Sequence, residues 1–161
     1  NTSPLDSAVV SVCRFQSGAT WNVIPDCAEL EGTVRTFNAD VRRRIPEQIR
    51  RVAEGVAAGY GASAELIWTE GQHFVNNDPA MAALMTRAAE ELGLTVVEAR
   101  PTTAGEDFSV YQERVPGCFI WMGTSGTEEW HHPKFTLDED ALPLGAALFA
   151  RAAELALRTL A

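Results

Sequence analysis

The chain has 161 residues, 46% of them hydrophobic and 22% charged, the make-up of a globular protein with a core to bury. Its formal net charge of −9 argues against nucleic acid or an anionic membrane surface as partner. No apolar run approaches the roughly 20 residues that span a bilayer.

In chain order, the opening Asn1-Thr-Ser-Pro4 carries no methionine and no basic-then-apolar leader, and reads as the start of a piece cut from something longer. Ser7–Phe15 alternates and is rich in β-branched residues, which predicts a strand. A Gly-containing connection over 16–20 leads to a turn at Trp21–Asp26, where Pro25 fixes its φ and Asp26 can cap the reversal. The strand that follows has a period of two: Ala28, Leu30, Gly32 and Val34 point one way, and Glu29, Glu31, Thr33 and Arg35 the other. After Phe37 the period lengthens to about 3.6, and Val41, Ile45, Ile49, Val52 and Val56 mark one face of a helix over 40–58, capped by Asn38 or Asp40. Pro46 lies inside that pattern, so either the helix kinks there or its regular part begins at Pro46, the second being preferred. Tyr60-Gly61 ends the helix, and 62–69 predicts a third strand with Ala64, Leu66 and Trp68 on one face.

This β-β-α-β order is a ferredoxin-like βαββαβ unit without its first strand and helix, which leaves a sheet edge open to a partner. Glu70–Asn77 predicts a hinge. Asp78-Pro79 then reads as N-cap and first helical residue, with Gly93 as the stop. Met81, Leu84, Met85, Ala88 and Leu92 are its expected buried face. A short strand near 94–98, a loop from Arg100, a short helix over 106–113 and a strand over Gly117–Gly123 buried on both faces come next. A loop over 124–136 precedes a closing helix over 140–160 with Pro143 in its first turn. Cys13, Cys27 and Cys118 are scattered without metal-knuckle spacing, which predicts buried thiols in a reducing compartment and a cytoplasmic location.

Six residues carry possible chemistry. Arg35, on the polar strand face, and Asn22, at the preceding turn, could grip a carboxylate through guanidinium and amide, or could be ordinary solvated residues. His131 and His132 lie in a loop, where imidazole is either a metal donor or a surface side chain, and two histidines alone do not make a metal site. Glu106 beside Asp107 could suggest an acid–base pair, but acidic residues at a helix start also serve the helix dipole.

Three ordered stretches resemble one known family. Asn22-Val-Ile-Pro-Asp with Glu31-Gly-Thr-Val-Arg-Thr-Phe37, Ala104-Gly-Glu-Asp-Phe-Ser109, and Trp130-His-His-Pro-Lys-Phe135 leading into Asp138–Ala147 resemble the C-terminal part of the metal-dependent aminoacylase and carboxypeptidase family. The branch they are most similar to cleaves hippurate, auxin–amino acid conjugates and other N-acyl amino acids. The resemblance implies a mixed α/β (α+β) fold: an incomplete ferredoxin-like lid or dimerisation domain at 1–72, then the C-terminal part of an α/β metallohydrolase catalytic domain at 73–161. It implies that Asn22 and Arg35, thirteen positions apart, hold the substrate carboxylate, and that His131, first in the His-x-Pro motif, is a metal ligand while His132 is not. It places Glu106 in an active-site loop without an assigned role, and Thr103-Ala104-Gly105 departs from the family's more usual Met-Gly-Gly.

The cofactor implied is a divalent metal, a binuclear zinc, manganese or cobalt site, whose other ligands, general base and oxyanion histidine would lie upstream of residue 1. The partners implied are a small N-acyl amino acid and a second copy bound through the lid, so that this piece alone would be inactive. A carbamoylase or dipeptidase of the same superfamily, or a non-catalytic dimerisation or binding fragment, are the competing readings.

Overall fold

The computed structural model describes residues 7–160; the opening Asn1–Pro4 motif lies outside the described residues. The chain divides into two compact units, the first formed by Asn1–Phe74 with Thr103–Gly105 and the second by Val75–Thr102 with Glu106–Ala161.

In the first unit, β1 (Ala8–Ser17) and β2 (Ala28–Thr36) form an antiparallel hairpin. Its register is broken once, between Val12 and Arg14, so Cys13 is the extra residue of a β-bulge. The bulge has a purpose legible in the pairs. Before it, Val10 faces Val34 and Val12 faces Gly32; after it, Phe15 faces Leu30, so β1 changes from even to odd positions and keeps its apolar side chains on the apolar face of β2. Gly32 admits this close approach, since a Cβ there would run into the Ser11 carbonyl oxygen. The polar face carries Arg14, ion-paired with Glu31 directly opposite.

α1 (Ala39–Gly59) starts on Asn38, whose side chain accepts from the Asp40 and Val41 backbone N–H groups at 2.8 and 3.2 Å. The helix runs through Pro46, contrary to the preference for a start there. Val41 and Ile45, both N-terminal to the proline, are the fully buried residues of α1, and it packs against β2. Burying those two side chains, at about 1.5–3 kcal/mol each, offsets the roughly 3 kcal/mol cost of an internal proline. The predicted stripe fades along the helix: Val52 and Val56 are exposed.

Residues 62–69 form no ladder, so the third strand is not formed among the described residues. The alternation of that stretch survives in its burial, with Ala64, Leu66 and Trp68 half-buried and Glu65 and Ile67 exposed. The segment just beyond is held by a side chain: Arg42 donates to Glu70 at 2.8 Å and to the carbonyls of Gly71 and Gln72. Hydrogen bonds from Trp68 and Arg42 lower the Glu70 pKa.

In the second unit, α2 (Pro79–Glu91) is capped by Asp78 and stops at Gly93, which has φ +72°. α3 (Phe108–Gln112) is shorter than predicted, and α4 (Ala141–Leu160) closes the chain with Pro143 in its first turn. The core lies between α2 and α4, where Ala88, Ala89, Leu148, Ala152 and Leu155 are buried and Leu84, Met85, Leu94 and Ile120 pack around them. Three alanines in that contact bring the helices close.

Neither 94–98 nor Gly117–Gly123 is a strand. The second segment has a side-chain partner instead of a strand neighbour. The Asn77 amide donates to the Phe119 carbonyl and accepts from the Phe119 N–H, both at 2.8 Å, while Gln112 donates to the Gly117 carbonyl at 3.1 Å. The segment is only half-buried, and Trp121 is exposed. All three cysteines are free; Cys13 at the bulge and Cys27 at the mouth of the hairpin are exposed rather than buried, and burial raises the pKa of Cys118. Among the described residues, no helix is long and apolar enough to cross a membrane.

An ion-pair chain spans α2 and α4: Arg87 to Glu91, Glu91 to Arg151, Arg151 to Glu154. The Arg151 hydrogen bond, then that from Arg87, lowers the Glu91 pKa. A carboxyl held below its ordinary range when folded stabilises the fold above that range and loses the contribution as pH falls through the lowered value. Glu91→Gln is therefore expected to flatten the acid limb of the stability–pH curve, as measured by thermal unfolding, while leaving stability at high ionic strength nearly unchanged.

Candidate functional site

The register of the hairpin decides what Arg35 can do. Arg14 meets Glu31 across the ladder, but Arg35 is opposite Val9, which offers no charge. Arg35 is exposed and enters no hydrogen bond or ion pair with the described residues. Its guanidinium lies against Gly105, also in the first unit: a Cβ at Gly105 would stand 2.6 Å from Arg35 Nη1. An unengaged planar fork of N–H donors is suited to a carboxylate.

Asn22 is elsewhere. It lies in the loop beyond the Ser17–Ala28 pair, whereas Arg35 is near the opposite end of the same hairpin. Seven residues of strand at about 3.3 Å each separate Ala28 from Arg35 by roughly 23 Å. The loop does not fold back over the sheet, since Trp21 and Ile24 on either side of Asn22 are 95% and 93% exposed. One hairpin thus does not bring Asn22 and Arg35 to one carboxylate.

Glu106 serves its own helix. Its side chain accepts from the Phe108 N–H at 3.4 Å, and its carbonyl accepts from the Ser109 N–H and from the buried Ser109 hydroxyl at 2.7 Å. These are local bonds just before α3, whose N-cap residue is Asp107 and which has no side-chain capping bond.

The two histidines are separated by local geometry. Glu129–His132 is a β-turn closed by the His132 N–H on the Glu129 carbonyl at 3.1 Å, with His131 third in the turn at φ +67°. A second turn, closed by the Phe135 N–H on the His132 carbonyl at 2.9 Å, has Pro133 in its second position, where a fixed φ is favourable. His132 Nδ1 accepts from the Lys134 N–H at 3.2 Å; the Glu128 carboxylate, at 3.6 Å from the same nitrogen, is beyond hydrogen-bond reach. With its Nδ1 lone pair used, neutral His132 carries its proton on Nε2 and has no lone pair left for a metal. The exposed His131 ring makes no such bond with the described residues and keeps one.

The left-handed φ at His131 costs a non-glycine residue about 1–2 kcal/mol. Trp130, in the same turn, stacks on Trp121 with centroids 4.8 Å apart and planes 15° from parallel. Such a pair contributes about 0.5–1.5 kcal/mol, the same order as the strain. The loop ends are tied by the Asp138 N–H on the Thr124 carbonyl at 2.8 Å.

As to a metal, the donor chemistry fits one position and no more. His131 supplies a single nitrogen, and no group of three or more His, Cys, Asp or Glu side chains able to hold an ion occurs among the described residues. The Asn77 amide clamp on Phe119 escaped the sequence reading, because an Asn in a polar linker carries no signal of its partner forty-two positions away.

An unengaged guanidinium thus lies in one unit and an exposed imidazole in the other. The chain belongs to peptidase family M20/M25/M40, whose model matches residues 6–155. Among curated relatives, an N-acetylcysteine deacetylase of Bacillus subtilis is 54% identical over 99% of this chain and 42% of its own length. An N-acetyldiaminopimelate deacetylase of Streptococcus pneumoniae is 36% identical over 91% of this chain and 40% of its own. A solved dinuclear metal binding peptidase of the M20 family from Bacillus subtilis superposes with a TM-score of 0.86 at 55% identity, covering 94% of this chain and 42% of that one. The chain therefore spans about two-fifths of the length of the relatives it matches.

The turn geometry sets an expectation for backbone variants. His131→Gly should be more stable than His131→Ala by about 1 kcal/mol, since glycine alone adopts this φ without strain. Urea unfolding midpoints of the two variants check it; equal midpoints would mean that the turn relaxes to negative φ once the imidazole is gone.

Proposed function

We propose that this chain is part of a metal-dependent amidohydrolase that cleaves the amide bond of N-acyl amino acids. The observation that carries the reading is Arg35, a strand guanidinium left without a partner by its register opposite Val9. It suits a substrate whose fixed feature is a free carboxylate. Bidentate binding there positions the scissile amide and discriminates against neutral amides. The relatives' names favour small acyl groups such as acetyl; hippurate and other aromatic acyl substrates are the alternative within the same reading.

His131 is the donor this chain contributes to the metal site, with the remaining donors and the general base supplied by parts of the protein other than these residues. A bound metal pair of the kind named for the solved relative would polarise the scissile carbonyl and acidify the attacking water. The residues in hand hold the carboxylate end, orient the carbonyl and hold one imidazole nitrogen out.

The roughly 23 Å between the Asn22 loop and Arg35 along the hairpin has a further consequence. Asn22 can join Arg35 at a carboxylate only from a second copy of the chain. The exposed Trp21 and Ile24 beside it give such a copy an apolar surface to meet, consistent with a homodimer formed through the first unit.

In the intact protein, Arg35→Lys should raise KM for N-acetyl amino acids by on the order of tenfold with a smaller change in kcat, because an ammonium cannot reproduce the bidentate fork. Steady-state kinetics on N-acetylcysteine, N-acetyldiaminopimelate, hippurate and the carboxamide of each decides it. A KM change below about threefold would remove Arg35 from the substrate site. Loss of turnover on chelation and its return with zinc, manganese or cobalt tests the metal requirement.

A further inference from the structure

We infer that the Trp121–Trp130 stack is the positioning element for the His131 imidazole, anchored at its far end by Asn77. The inference rests on the reading of His131 as a metal donor. It begins from the turn: a left-handed residue that is not glycine persists only where its surroundings hold it, and His131 has φ +67°. The side chain before it in the same turn, Trp130, lies flat on Trp121 with centroids 4.8 Å apart.

Trp121 is not adrift either. It meets Phe119 edge to face at 5.2 Å and 87°, and the Phe119 backbone is gripped at both its N–H and its carbonyl by the Asn77 amide at 2.8 Å. Asn77 immediately precedes the Asp78 cap of α2. From the start of α2 to the turn that carries the imidazole, every step is a direct contact, all of it within the second unit.

Besides the bonds that close the two turns, a tie between Asp138 and Thr124 pins the ends of this loop. It leaves open the direction of a side chain seven residues from Thr124. That direction is set by what Trp130 rests on. Both indoles are 49% exposed, so their contact removes less water-exposed surface than a core pair would. Its effect is therefore on orientation more than on global stability. Without the Trp130 ring the turn is free to relax to negative φ, which swings the imidazole to another side. A flat ring at 130 preserves the stack.

The test uses the intact protein stripped of metal, titrated calorimetrically with Zn²⁺ alone, for the parent, His131→Ala, Trp130→Ala and Trp130→Phe, with thermal unfolding of each. Trp130→Ala should weaken Zn²⁺ binding about 10–100-fold, as loss of a support behind a ligand does, while Trp130→Phe stays within about threefold of the parent at a similar Tm. Amide exchange at His132, whose N–H closes the turn, should quicken in Trp130→Ala and not in Trp130→Phe. If Trp130→Ala fails to fold, Trp121→Ala removes the other half of the stack and replaces it. Parent-like Zn²⁺ affinity in the alanine variant, with affinity lost in His131→Ala, overturns the positioning role alone. Parent-like affinity in His131→Ala overturns the donor assignment and the positioning role with it.

Discussion

Every backbone N–H and carbonyl removed from water needs a partner, and in this protein the partners come in two kinds. Where two strands are neighbours, β1 and β2 satisfy each other through a ladder. Where no strand neighbour is present among the described residues, side chains take the place of one. Asn77 binds both polar groups of Phe119, Gln112 takes the Gly117 carbonyl, and Arg42 takes the carbonyls of Gly71 and Gln72. The Asn77 and Gln112 bonds hold in place a segment whose composition reads as strand, and the Arg42 bonds hold the stretch that follows another.

The ladder also distributes charge. Because the bulge at Cys13 shifts β1 by one position, Val10, Val12 and Phe15 stay on the face of Val34, Gly32 and Leu30, and Arg14 stays on the face of Glu31 and Arg35. Glu31 falls opposite Arg14 and neutralises it, whereas Arg35 falls opposite a valine. A one-residue difference in register would take Arg14 off Glu31, while Arg35 would face Ala8 or Val10 and still meet no charge. The free guanidinium on which the carboxylate reading rests is thus a product of pairing, and the same geometry separates Asn22 from it.

Around the histidines the controlling quantity is local strain. Two consecutive β-turns orient His131 and His132 differently, and a hydrogen bond from the Lys134 N–H uses the lone pair that His132 would need to bind a metal. His131 remains with its ring unengaged, at a φ that glycine would adopt freely.

Much was determined by the sequence alone. The two periods in 28–36 and 39–59, the Asp78-Pro79 helix start, the Gly93 stop and the Pro143 placement are local signals, carried by residues adjacent in the chain. The spaced motifs around Arg35, Glu106 and His131 were sufficient to indicate the family. Only the tertiary structure decided the rest, because it depends on partners distant in sequence. The burial of Val41 and Ile45 carries α1 through Pro46, and the bulge leaves Cys13 exposed on its strand. A strand exists only if another lies alongside, which is why 62–69 and 117–123 keep strand composition without a ladder. The register that frees Arg35, the length of hairpin that removes Asn22 from it, and the indole stack beside His131 are each set by contacts across the fold, and no periodicity encodes them.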